Sequence, residues 1–139
     1  MPRGLSLLVA AVVIASTTAG CSSSADPGVS ACADALHAIA PVTDYGSRRA
    51  TGAAIEVDGA AAGFTPTCIT DVPQGTVTLT MHNTGQVVHD IGVAAQHVEA
   101  DARPGRSVTI RVQVGAGPVV FECRIHRGLG MAGVLLPAR

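Results

Sequence analysis

From Ile55 onward, apolar and polar residues alternate with a period of two. Ile55 and Val57 alternate with Glu56 and Asp58, and Val77, Leu79 and Met81 with Thr76, Thr78, Thr80 and His82. Val87, His89, Ile91 and Val93 share one parity. Val108, Ile110, Val112 and Val114 alternate with Thr109, Arg111 and Gln113, and Val119, Phe121 and Cys123 with Val120, Glu122 and Arg124. Successive strand residues face opposite sides, so such β-branched alternation predicts half-buried antiparallel strands. Turn formers separate the runs at Pro73-Gln74-Gly75, Asn83-Thr84-Gly85, Pro104-Gly105 and Gly115-Ala116-Gly117-Pro118. Short strands broken by turns predict an all-β sandwich. Neither an internal repeat nor a second domain is visible.

Upstream the period changes. Val29 to Ala40 is rich in Ala and Leu, with Ser30 as N-cap and Pro41 as stop, and predicts a short helix. Cys32, Ala35, Leu36 and Ile39 fall on one helical face and turn Cys32 toward the body of the protein, while Asp34, His37 and Ala38 take the other side. A helix this short is marginal alone and needs docking or a covalent tie. Thr43 to Gly52 has no period and reads as loop.

Residues 1–20 read as an export signal. Arg3 precedes an apolar run from Leu5 to Ala15, too short for the roughly 20 residues that cross a bilayer but right for a secretory signal. Thr18-Ala19-Gly20-Cys21 resembles a bacterial lipobox, with Thr18 where Leu is usual, and implies a lipid anchor on Cys21. A plain secretory signal is the alternative. Residues 21–28 then read as a flexible tether, 29–52 as helix and loop, and 53–139 as the main domain.

Composition narrows the function. The full chain of 139 residues is 47% hydrophobic and 14% charged, with a net charge of -1. Cleavage before Cys21 leaves 119 residues with eight Arg, no Lys and ten acidic residues, a net charge of -2. Nothing there suits nucleic acid, and no such partner is expected. Tyr45, Phe64 and Phe121 are the whole aromatic complement, too few for a stacking platform. The four cysteines do not have the paired spacing of a zinc site.

Candidate chemistry lies between Phe121 and Met131. Cys123, His126 and Met131 place a thiol, an imidazole and a thioether at a strand end and in a Gly-containing loop. Soft sulfur with imidazole selects copper over magnesium or calcium. A trigonal site of two imidazoles and one thiolate, with a weak axial Met, needs one more His. His89, on the inward parity of its strand, supplies it from elsewhere in the chain.

At these residues the sequence resembles the cupredoxins, the plastocyanin-like blue copper proteins. Cys123-x2-His126-x4-Met131 has the plastocyanin and pseudoazurin spacing, and the run Phe64-Thr65-Pro66 through Ile69, Val72, Gly75, Val77 and Asn83 to His89 is also similar. The resemblance covers about residues 53–137 and implies a Greek-key β-sandwich preceded here by a short helix. It implies one copper ion cycling between Cu(I) and Cu(II), with Cys123, His89 and His126 equatorial and Met131 axial. It also implies that His126 is the ligand nearest solvent, ringed by an apolar rim of Gly128, Leu129, Gly130 and Ala132. Arg124 and Arg127 would bias docking toward an acidic face. Asp90 departs from the family, which commonly has Asn there to help hold the Cys loop.

In an exported protein Cys32 and Cys68 favour a disulfide, which would contribute about 3–4 kcal/mol in the chain-entropy model. Two free thiols are the alternative. His37, His82 and His97 read as surface residues, and Met81 and Phe121 as core. The expected function is single-electron transfer by a monomeric type 1 copper protein, not an enzyme, lipid-anchored at the extracytoplasmic face of the membrane and serving a redox partner protein. Copper delivery or storage is the second reading. An oxidase or nitrite reductase is disfavoured because Glu122 and Arg124, not histidines, flank Cys123. A CuA centre is disfavoured because no second Cys shares the loop.

Overall fold

A computed structural model describes residues 27–39, 41–61 and 63–139. The expected export signal, the expected lipidation at Cys21 and residues 21–26 of the expected tether lie outside the described residues. Helix α1 spans Pro27–Ala38. It begins earlier than expected: Pro27 and Gly28, assigned to the tether, are helical, and Ser30 lies inside the first turn instead of capping it. Proline suits a helix start because its missing N–H would be unpaired there anyway. No helix among the described residues is long and apolar enough to cross a membrane.

Ten strands follow among the described residues: β1 (Ser47–Arg49), β2 (Ala54–Ala60), β3 (Gly63–Thr65), β4 (Cys68–Val72), β5 (Gly75–Asn83), β6 (His89–Val93), β7 (Val98–Ala102), β8 (Ser107–Val114), β9 (Val119–Glu122) and β10 (Ala132–Pro137). They form a six-stranded sheet in the order β1-β4-β10-β9-β6-β7 and a four-stranded sheet in the order β3-β2-β5-β8. The expected all-β Greek-key sandwich with a short N-terminal helix is therefore found.

Three local expectations need correction. The segment Thr43–Gly52 contains β1 rather than being wholly loop. The sheets are mixed: β2 runs parallel to β5, and β4 parallel to both β1 and β10. The chain leaves the small sheet after β3, adds β4 to the large one and returns as β5, and such a crossover is what parallel pairing requires. In β6 the alternation fails, because all five residues are buried. The loop after β9 covers Asp90, and Gly92 is so close to β7 that a Cβ there would lie 2.9 Å from the Val98 carbonyl oxygen.

Where one face meets solvent the alternation holds. Strand β8 reads exposed and buried in turn, with Ile110, Val112 and Val114 inward. These pack with Val77, Leu79 and Met81 of β5 and with Phe64 and Phe121, whose ring centroids are 5.1 Å apart. A second apolar cluster joins Cys32 and Leu36 of α1 to Cys68, Val134 and Leu136, with Ala35 and Ile39 against it. Cys32 and Cys68 are disulfide-bonded, with Cα atoms 5.9 Å apart. The helical face inferred from spacing is the one that docks.

Candidate metal centre

Strand β6 opens with His89, and β9 runs directly into Cys123. A 3-10 turn, Arg124–Leu129, carries His126, and Gly130 closes it with φ +83°, a left-handed conformation that glycine adopts without strain. The loop is tied at its neck: the Cys123 N–H donates to the Met131 carbonyl (2.9 Å), and the His126 N–H donates to the Cys123 carbonyl (3.1 Å). Local backbone bonding therefore gathers Cys123, His126 and Met131, while β6 brings His89 from 34 residues upstream of Cys123.

Asn83, at the end of β5, sets the approach to His89. Its side-chain amide donates to the carbonyls of Val87 and Ala102, both at 2.8 Å, and its Oδ1 accepts the Gly85 N–H at 3.0 Å. The residue is buried, so these bonds form away from competing water and hold residues 84–88 in one shape.

The donor atoms converge. His89 Nδ1 and His126 Nδ1 are 3.1 Å apart, and the Cys123 sulfur lies 3.4 Å from His126 Nδ1 and 3.9 Å from His89 Nδ1. The point equidistant from all three is about 2 Å from each, the length of a metal–imidazole bond. His89 and Cys123 are wholly buried and His126 is half-buried, which makes His126 the solvent-side member, as expected. Among the described residues this is the only group of three His, Cys or acidic side chains whose donor atoms converge closely enough to hold a metal ion.

Electrostatics favours the neutral ring. Burial pushes the His89 pKa down, the nearby His126 adds to this, and Asp90 opposes it. Neutral imidazole is the form that binds a metal. Burial pushes the Cys123 thiol up. The Asp90 backbone amide partly offsets this shift, the Asp90 carboxylate adds to it, and the His126 amide again offsets it. The thiol thus keeps its proton until a cation replaces it. His89 Nε2 is buried with no hydrogen-bond partner, and a Cβ on Gly85 would lie 3.0 Å from it.

Met131 is fully buried in the same core cluster as Cys123 and Phe121. Gly59 of β2 lies beside it: a Cβ there would come within 3.4 Å of the Met131 methyl carbon and 2.8 Å of the Met81 sulfur. The sequence reading placed Met81 in the core but missed its neighbour. The available signal was Gly59 itself, since a glycine within a strand often marks a close approach.

Asp90 was noted in the sequence only as a departure. Its buried carboxylate accepts the Arg124 N–H at 3.1 Å, the Ile125 N–H at 3.2 Å and the Cys123 thiol at 3.1 Å. The rim differs from expectation. Gly130 and Ala132 are buried, while Ile125 joins Leu129 as an exposed apolar residue. Arg124 pairs with Glu99 (3.1 Å) and Arg127 with Glu122 (3.2 Å), so each charge has an acidic neighbour at the surface that partly offsets it. His37 and His97 are exposed, and His82 lies on the outer sheet face bonded to Ser107, as expected.

No family model and no curated protein sequence matches the chain. Solved structures do. Reduced auracyanin from the photosynthetic bacterium Roseiflexus castenholzii is 27% identical, with a TM-score of 0.51, covering 65% of this chain and all of that one. The metal-binding domain of the Cu(I)-exporting P-type ATPase CopA of Streptococcus pneumoniae, solved with Cu(I), is 14% identical, with a TM-score of 0.55 over 70% of this chain and all of that one. Auracyanin B is 20% identical, with a TM-score of 0.50 over 70% of this chain and 94% of that one. The chain therefore has a cupredoxin-like fold.

Proposed function

We propose that this protein is a mononuclear type 1 copper protein that carries single electrons. The carrying observation is the triangle of His89 Nδ1, His126 Nδ1 and Cys123 Sγ, three donors about 2 Å from a common point. Two imidazoles and a thiolate with a weak axial thioether form the trigonal donor set of electron-transfer copper. The residues present fit that ion: His89, Cys123 and His126 would hold it, and Met131, buried in the same cluster, would offer a thioether sulfur. Copper bound there supplies a one-electron couple between Cu(I) and Cu(II).

The chain's own residues do the rest. Strands β6 and β9 and the Asp90 carboxylate hold the donors in place, so little rearrangement is needed when charge changes. Burial of His89 and Cys123 excludes water from the inner side. His126 reaches partial exposure between Ile125 and Leu129, 51% and 67% exposed, and offers a short route to a redox partner across an apolar face. The Cys21 lipobox suits an anchored carrier on the extracytoplasmic side of the membrane, and mass spectrometry of the native N-terminus tests that part. We propose a monomer without enzymatic activity.

Voltammetry of the copper-loaded protein separates a carrier from a delivery or storage module. A carrier gives a reversible one-electron wave with one copper per chain. A protein that takes up only Cu(I) and gives no wave is a delivery or storage module.

A further inference from the structure

We propose that helix α1 and residues 41–46 together are a positioning element of the metal centre. Residues 41–46 form a strap that holds the ligand loop from outside, and α1 and its disulfide hold the strap. The inference rests on the reading of Cys123, His126 and Met131 as ligands.

The contact is at backbone level. Gly130 stands immediately before Met131 and four residues after His126. A Cβ at Gly130 would lie 2.4 Å from the Pro41 carbonyl oxygen, 3.1 Å from the Pro41 carbonyl carbon and 3.4 Å from the Val42 Cα. Any side chain there collides with the strap, so strap and loop are seated directly on each other. This contact also explains why Gly130 is buried although its neighbours Gly128 and Leu129 are exposed.

The other end of the strap is fixed independently. The Tyr45 N–H donates to Thr67 Oγ1 at 2.6 Å, and the Gly46 carbonyl accepts the N–H groups of Thr67 (2.9 Å) and Cys68 (3.2 Å). The Thr67 carbonyl in turn accepts the Val134 N–H at 2.9 Å, in the strand that leaves Met131. Cys68 carries the disulfide to Cys32, and Leu36 seats α1 on Val134 and Leu136. A surface cleft of about 380 Å³ between Ala33, His37, Val42 and Leu129 marks the seam between helix and loop. The strap is thus anchored at Thr67 and at Cys68 of β4, with Thr67 bonded in turn to β10, and it seats on Gly130, the loop residue immediately before Met131.

A purely structural staple would stabilise the sandwich evenly. A positioning element acts on the loop first. The test uses the full chain with the triple variant Cys32→Ala/Leu36→Asp/Cys68→Ala, which removes both the covalent tie and the apolar seat. Amide hydrogen exchange of the metal-free protein should show Gly130 and Met131 opening at least about tenfold faster, with Leu79 and Val112 nearly unchanged. Pro41→Gly, which keeps the disulfide and softens only the strap, should shift the same two amides in the same direction by less. In the copper-loaded forms the charge-transfer bands should change their intensity ratio. Unchanged exchange at Gly130 and Met131 in both variants overturns the inference, as does loosening spread equally over β5 and β8. If the triple variant does not fold, Pro41→Gly decides alone. If the wild type takes no copper, the metal reading fails, while the exchange data still decide whether the strap holds the loop.

Discussion

Asp90 Oδ1 lies 3.1 Å from the Cys123 sulfur, and the same carboxylate accepts two backbone N–H groups from the loop that follows. A buried carboxylate therefore ties β6 to the thiol-bearing loop. His89 and Asp90 are consecutive, so one proposed ligand and the residue that anchors another sit side by side at the start of β6.

Asp90→Ala removes the carboxylate acceptor of two N–H groups and should cost about 3 kcal/mol in equilibrium unfolding. Asp90→Asn keeps one oxygen for the loop and turns an N–H donor toward the sulfur, so its loss should be smaller. In the copper-loaded protein Asp90→Asn should raise the reduction potential, because a neighbouring negative charge that favours the more positive ion is gone. A potential that stays the same or falls would contradict this role.

Protonation gives a second prediction. Burial holds His89 neutral below its ordinary value of 6.5, so unfolding takes up a proton as pH falls through that range, and the metal-free protein loses stability there. Burial holds the Cys123 thiol protonated above its ordinary value of 9.0, so unfolding releases a proton at higher pH and stability falls again. Denaturation of the metal-free protein should show greatest stability between these limits. Within that window metal binding displaces one thiol proton, and apparent affinity should rise about tenfold per pH unit. Calorimetry in buffers of different ionisation enthalpy counts the proton, and Cys123→Ser should lose it.

Gly59 gives the third. A Cβ there meets the Met81 sulfur at 2.8 Å and the Met131 methyl at 3.4 Å. Gly59→Ala should destabilise by about 1–3 kcal/mol through overpacking. Met81 must shift to admit the Cβ, and because Met131 touches the same position, the variant should also alter the electron paramagnetic spectrum of the copper form. Destabilisation without spectral change would show that Met131 does not feel Gly59.

Strands with one wet face were legible in the sequence. Thr76 to His82 and Thr109 to Gln113 alternate because solvent selects polar residues on one side. Strands β4, β6 and β10 were obscured because both faces are largely covered, and such strands lose the alternation. The Cys123-His126-Met131 spacing is local and survives in any reading of the chain. Contacts that join distant segments are not local: Asp90 on the loop, Gly59 between Met81 and Met131, and Pro41 on Gly130 each depend on a pairing that only the fold creates. The same holds for Arg124 and Arg127, which look like free charges until Glu99 and Glu122 are placed beside them.

The most direct measurement is the visible absorption of the Cu(II)-loaded protein beside Cys123→Ser. If Cys123 is a thiolate ligand held with His89 and His126, the wild type shows an intense sulfur-to-copper charge-transfer band, and Cys123→Ser abolishes it while remaining folded. A colourless wild type that binds copper, or a band that survives in Cys123→Ser, would contradict the proposed centre.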